Sequence, residues 1–153
     1  MSEVKRRLAT ILATDCVGFS RLMEENEELT LHNLKACRSI IDTLIKDFGG
    51  RIFHTAGDSV IAEFNSPVEC VNAAIEFQEK ISERNNALDK VSALVFRVGI
   101  HLDDVIIEGD NIYGSGVNIA SRLETECSPG QILLSIHVKE PVSYTTMTLP
   151  TKA

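Results

Sequence analysis

Residues 53–64 read FHTAGDSVIAEF. Two apolar stretches flank a tight Ala56-Gly57-Asp58 turn, the pattern of two strands joined directly. Asp58 therefore stands where the chain re-enters a core strand. A turn aspartate has an ordinary use, because its side chain bonds its own backbone there. It has a second use only if the fold brings other polar groups to the same turn.

The flanking sequence specifies that fold. Residues 8–15 mix large apolar residues with Ala and Thr and read as a central strand. Over 29–48, Leu34, Cys37, Ile41, Leu44, Ile45 and Phe48 share one helical face, and Gly49-Gly50 stops that helix. Strands follow at 51–55 and 59–64. Ser66-Pro67-Val68-Glu69 is a helix start: Ser66 caps, Pro67 fits the first turn, and Glu69 completes a capping box. Val71, Ala74, Ile75 and Ile81 then mark a buried stripe running toward Asn85. Residues 94–107, rich in Val and Ile, read as one or two strands, and 116–126 as a short helix. Ser128-Pro129-Gly130 turns the chain into a strand at 131–136.

The order β-α-β-β-α-β, plus a further helix and strand, predicts an α+β fold with a ferredoxin-like core. Its sheet is antiparallel-rich, with helices on one face. In such a core the third strand lies between the first and second, antiparallel to the first. Asp15 ends strand one and Asp58 precedes strand three, so these two carboxylates are expected to meet at one sheet edge.

Size and composition narrow the function. With 153 residues and 44% hydrophobic content, the chain suffices for one core. A formal charge of −7 with no block of Lys and Arg argues against nucleic-acid binding. The four cysteines, Cys16, Cys37, Cys70 and Cys127, are widely spaced without a CxxC pair, which suits reduced thiols in a cytoplasmic setting. The start, MSEVKRRLATILATD, is basic and then apolar, but Thr10, Thr14 and Asp15 interrupt it too early for a signal peptide. No stretch approaches the length of a membrane span, so no direct membrane contact is expected from this segment.

Adjacent carboxylates repel, and one is pushed toward protonation unless a cation is supplied. A pair of oxygen ligands suits Mg²⁺ or Mn²⁺, which keep waters and take their remaining ligands from phosphates. An acid/base dyad is the rival use, but aromatic content is only 5%, and no groove of sugar-binding aromatics is evident. After Asp15, Cys16-Val17-Gly18-Phe19-Ser20 forms a small-residue turn leading into a helix, where backbone N–H groups can cradle phosphate oxygens. Asn118 and Arg122, spaced i,i+4, share one helical face. Beside a polyphosphate, Arg122 could neutralise charge that grows during phosphoryl transfer. Asp103-Asp104 reads as a solvated strand edge or bulge rather than a second metal site.

Taken together, ILATDCVGFS, GGRIFHTAGDSVIAEF, FRVGIHLDDVIIEG and NIYGSGVNIASRLE resemble the catalytic domains of class III adenylate and guanylate cyclases, the bacterial members above all. The resemblance covers about residues 7–136. It implies that Asp15, Asp58 and the Cys16 carbonyl hold two divalent ions, Mg²⁺ or Mn²⁺, and that Val17, Gly18, Phe19 and Ser20 bind substrate phosphates. Arg97 matches a family arginine that contacts phosphate. Asn118 would orient the ribose and Arg122 would stabilise the transition state. The implied reaction is attack of the ribose 3′-hydroxyl on the α-phosphorus of a purine nucleoside triphosphate, giving a cyclic nucleotide and pyrophosphate. In the family the site lies between two catalytic domains, so the resemblance further implies a head-to-tail homodimer with two composite sites.

The match departs from the family at three places. His54 stands where many adenylate cyclases have a base-selecting Lys, and Asn111 where they have its Asp partner, with Asp110 next to it. His and Asn can each donate or accept, so the pair leaves the base open, with ATP favoured over GTP. After Ile136 the similarity fades, and neither Lys139 nor Lys152 sits in the family's phosphate-binding motif. Residues 1–136 are thus expected to form the catalytic domain and 137–153 a diverged or truncated tail. The rival reading is a cyclase-like module that dimerises or senses nucleotide without turnover.

Overall fold

The computed structural model describes residues 5–88, 93–135 and 138. Among them, six strands form one sheet: β1 (Lys5–Cys16), β2 (Arg51–Ala56), β3 (Ser59–Phe64), β4 (Phe96–Glu108), β5 (Asn111–Tyr113) and β6 (Ile132–Leu134). Their order is β2-β3-β1-β4-β5, with β6 also paired to β4. Among the described residues, only the β4–β6 pairing is parallel. The third strand lies between the first and second, as the ferredoxin-like expectation requires. Thr14 of β1 faces Val60 of β3, so positions 15 and 58 flank the same end of that pair.

Four helices complete the described fold: α1 (Phe19–Glu25), α2 (Glu27–Asp47), α3 (Pro67–Asn86) and α4 (Ser115–Glu126). Helix α2 starts at Glu27, two residues before the expected 29, because Asn26 caps it, its Oδ1 accepting from Leu29 N–H at 3.1 Å. Ser66 caps α3 in the same way, Oγ accepting from Glu69 N–H at 3.2 Å.

The period-two alternation of the strands sorts side chains onto two faces. Leu12, Val60, Ala62, Phe64, Phe96, Val98 and Ile100 pack with Cys37, Ile41 and Ile45 of α2 and Val71, Ala74 and Phe77 of α3. On the opposite face, Ala9, Ile11, Ala13, Val105 and Ile112 form a smaller cluster with Ala120 of α4. The added helix therefore covers the face that α2 and α3 leave open, a side its periodicity does not specify.

Contact between α4 and the sheet is close. A β-carbon on Gly99 of β4 would lie 2.3 Å from Glu124 N and 2.4 Å from Ala120 O. Only glycine lets the helix backbone rest on that strand. Residues 94–107 yield one long strand rather than two. Asp103 and Asp104 lie inside it, in unbroken register opposite Ala9 and Leu8 of β1. On their other side, among the described residues, β6 pairs with β4 only as far as Ile100 and β5 only from Ile106. The two aspartates thus stand on an unpaired stretch of strand edge with Asp104 exposed, as the strand-edge reading expects, and no bulge interrupts the β1 register. All four cysteines are free and buried. Strand β6 is shorter than the 131–136 expected, and Ile136 lies outside the described residues, as does nearly all of the tail.

Candidate active site

Asp15 lies near the C-terminal end of β1 on the α4 side of the sheet, in line with Ala9, Ile11 and Ala13. Directly across the ladder is Arg97 of β4. Its guanidinium Nη2 donates to Asp15 Oδ1 at 3.1 Å, and its Nη1 donates to the Thr125 carbonyl at 3.0 Å. Asp58 reaches the same end of β1: its Oδ2 accepts from Cys16 N–H at 2.8 Å. The fold thus brings together the two carboxylates that the strand order places at one edge.

A third carboxylate, Glu124, enters from α4. It is buried, with Oε1 3.2 Å from Arg97 Nη2 but outside hydrogen-bonding geometry. Burial pushes its pKa up to about 8, the hydrogen bond and charge of Asp15 add to this, and Arg97 opposes it. Beyond burial, negative charge is in excess here: Arg97 pairs with both Asp15 and Glu124, and the charge of Asp58 adds a smaller push in the same direction. Glu124 closes the NIYGSGVNIASRLE segment and has no role assigned from the sequence. The signal that could have found it is its spacing from Ala120, which continues the inward row Gly116, Ala120, Glu124, all buried.

The opposite row of α4 carries Asn118 and Arg122. Both are exposed, and neither bonds a described residue. One helix therefore presents Glu124 to its own chain's Asp15 and turns Asn118 and Arg122 away from it.

In the turn after β1, Val17 N–H is already used, donating to the Val95 carbonyl at 2.8 Å. Gly18 adopts φ 64°, the left-handed conformation that suits glycine, and caps α1 without a side-chain bond. The first N–H groups of α1, at Phe19 and Ser20, thus lack a side-chain cap. The Cys16 thiol faces the core, and burial, then Asp58, push its pKa up to about 12. Cys16 can therefore offer a cation its carbonyl, not a thiolate.

His54 is exposed on β2, and Asn111 is exposed at the start of β5 opposite Glu108. Among the described residues, no three His, Cys, Asp or Glu side chains form a ready-made metal cage. The donors at Asp15 and Asp58 are hard oxygens on a cation-poor cluster. That chemistry fits a divalent ion completed by water and substrate oxygens.

Comparison with known proteins points the same way. The family described as "Adenylate and Guanylate cyclase catalytic domain" matches residues 3–150, a span that takes in most of the tail. A protein of Rhizobium meliloti (strain 1021), provisionally named an adenylate cyclase, is 40% identical over 142 residues, which are 92% of this chain and 24% of that protein. The chain thus spans about a quarter of that relative's length. The crystal structure of an adenylate/guanylate cyclase/hydrolase from Silicibacter pomeroyi superposes with a TM-score of 0.86 at 36% identity, covering 93% of this chain and 83% of that one. The guanylyl cyclase Cya2 gives a TM-score of 0.81 at 25% identity, covering 92% and 81%. No described helix is long and apolar enough to cross a membrane.

Proposed function

Because the chain belongs to the adenylate and guanylate cyclase catalytic domain family, we propose that it is a divalent-metal-dependent cyclase converting ATP, in preference to GTP, into the 3′,5′-cyclic nucleotide and pyrophosphate. The observation that carries the reading is the meeting of Asp15 and Asp58 in a cluster short of positive charge. Asp15, Asp58 and the Cys16 carbonyl would hold two Mg²⁺ or Mn²⁺ ions. Such ions, when bound, lower the pKa of the ribose 3′-hydroxyl and carry phosphate charge.

The chain's own groups do the rest. The N–H groups of Gly18, Phe19 and Ser20 cradle phosphate oxygens at the start of α1, with Val17 shaping the turn. Arg97 turns from Asp15 to the polyphosphate once the carboxylates gain other cations. Asn118 holds the ribose, and Arg122 stabilises negative charge as the 3′-oxygen bonds to the α-phosphorus and the bond to pyrophosphate breaks. His54 and Asn111 face the base.

The two rows of α4 support a head-to-tail homodimer. Glu124 binds its own chain's site, so Asn118 and Arg122 serve the partner's carboxylates, and two equivalent sites result. A cytoplasmic signalling role follows from a nucleoside triphosphate substrate.

The test is turnover of Mn²⁺-ATP and Mn²⁺-GTP by the full chain, assayed for cyclic product. Arg122→Ala should lower kcat by ~10²–10³-fold while leaving the melting temperature and nucleotide binding unchanged, because Arg122 bonds no described residue of its own chain. A folded dimeric wild type that binds nucleotide without turning it over would replace this reading with a sensing module.

A further inference from the structure

Glu63 of β3 is a carboxylate with a buried side chain, 8% exposed, on the sheet face that carries Asp15. Two arginines satisfy it. Arg7 of β1 pairs with its Oε2 and also donates to Asn65 Oδ1 at 3.3 Å. Arg51 of β2 donates from Nε to Glu63 Oε1 at 2.9 Å. The proposed chemistry gives this network no task.

Arg51 makes one more bond. Its Nη1 donates to the Asp110 carbonyl at 3.1 Å, in the tight turn between β4 and β5. Strands β2 and β5 end the strand order on opposite sides, so the hairpin tip must bend back over the sheet face to reach Arg51. The residue after Asp110 is Asn111.

Strand β2 carries His54 on that same face, and an irregularity makes this possible. Residues 51 and 54 are three apart, which in a regular strand puts them on opposite faces. Here Ile52 faces Ala62 and His54 faces Ile61, so Phe53 is an extra residue in the ladder. That bulge turns His54 back to the face of Arg51, which lies opposite Glu63. One guanidinium, fixed by a buried carboxylate, thus spans the strand carrying His54 and the turn carrying Asn111.

We infer that Arg51 is a positioning residue for base recognition, tying the β4–β5 turn to β2 so that Asn111 and His54 are held at the separation that reads a purine. This rests on the proposal that His54 and Asn111 face the base. Arg51 itself does not touch the nucleotide. Its fork is what qualifies it, because one planar group donates in two fixed directions at once. A lysine in its place can pair with Glu63 or reach the turn but cannot fix both.

The experiment compares wild type, Arg51→Lys and Arg51→Met. Binding of ATP and GTP labelled with a fluorophore on the ribose is titrated, and Mn²⁺-supported turnover of both nucleotides is measured on the same samples. Wild type should discriminate between the bases by ~10-fold or more, and both variants should bring that ratio to within ~3-fold of unity. Arg51→Lys should keep the wild-type melting temperature through its ion pair with Glu63, so its loss of discrimination cannot be assigned to unfolding.

Equal losses for ATP and GTP, which leave the ratio unchanged in Arg51→Lys, overturn the inference. So does a wild type that does not discriminate. Base-selective binding without cyclic product removes the proposed activity and leaves this inference to be decided by the binding ratios alone. Failure to bind either nucleotide removes both.

Discussion

Replacing Gly99 with alanine tests whether α4 must rest on the bare backbone of β4. The added carbon would stand 2.3 Å from Glu124 N, 2.4 Å from Ala120 O and 2.9 Å from Glu124 Cα. All three are main-chain atoms, so no side-chain rotation relieves the overlap. Restoring ordinary contact requires the helix to lift by ~1 Å, at a cost of roughly 2–3 kcal/mol. Alanine also stiffens the unfolded chain, which returns about 0.5–1 kcal/mol. A net loss of about 1–2 kcal/mol should lower the melting temperature of a domain this size by ~3–6 °C. The catalytic effect should be larger, because the helix that lifts is the one carrying Asn118 and Arg122. A displacement of ~1 Å at a positioning group costs on the order of 10²-fold in kcat. Urea denaturation and Mn²⁺-ATP turnover on the same preparation measure both effects. Wild-type values in both would refute the claim that this contact sets the height of α4.

Asp58→Asn should fold normally, since the amide oxygen can still accept from Cys16 N–H, yet it should need ~10-fold or more Mn²⁺ for half-maximal activity; a Mn²⁺ titration checks this. Glu124 makes the metal-free protein sensitive to pH. Its pKa is about 8 in the folded chain against an ordinary value of 4.5, so the folded state holds the extra proton between those values. Stability should therefore be fullest below pH 4.5 as far as this group is concerned, and fall as pH rises toward 8, by up to ~1.4 kcal/mol per unit. Glu124→Gln should flatten that slope in denaturation curves taken across the range. Gln78→Leu strips donors from the carbonyls of Phe96 and Gln131, which its Nε2 reaches at 3.0 and 3.1 Å; thermal denaturation should register a loss of roughly 2 kcal/mol.

The meeting of residues 15 and 58 is legible because it follows from strand order, and strand order follows from the alternation of apolar segments. The helix starts at Asn26 and Ser66 obey capping chemistry that short-range sequence carries; Ser66 is read directly, and Asn26 explains why α2 begins early. What stays hidden is long-range. No pattern in the sequence says which face α4 covers, since an amphipathic helix packs equally well on either side of a sheet. The pairing of Arg97 with Glu124 depends on that choice and is invisible without it. Arg51 escapes notice for a similar reason: the bulge at Phe53 breaks the period-two rule that assigns residues to faces, and its partner Asp110 lies at the far end of another hairpin.

The four interior thiols give the molecule an intrinsic stopwatch. Each is shielded from reagents by its surroundings, and burial also raises each pKa, so little thiolate exists to react in the closed state. Alkylation under native conditions can then proceed only when a part of the fold swings open. Cys70 and Cys37 would time events in the layer beneath α2 and α3, whereas Cys16, one residue from Asp15, would time breathing at the end of β1. The ratio of those rates would reveal whether the carboxylate edge loosens by itself or only when the entire domain comes apart.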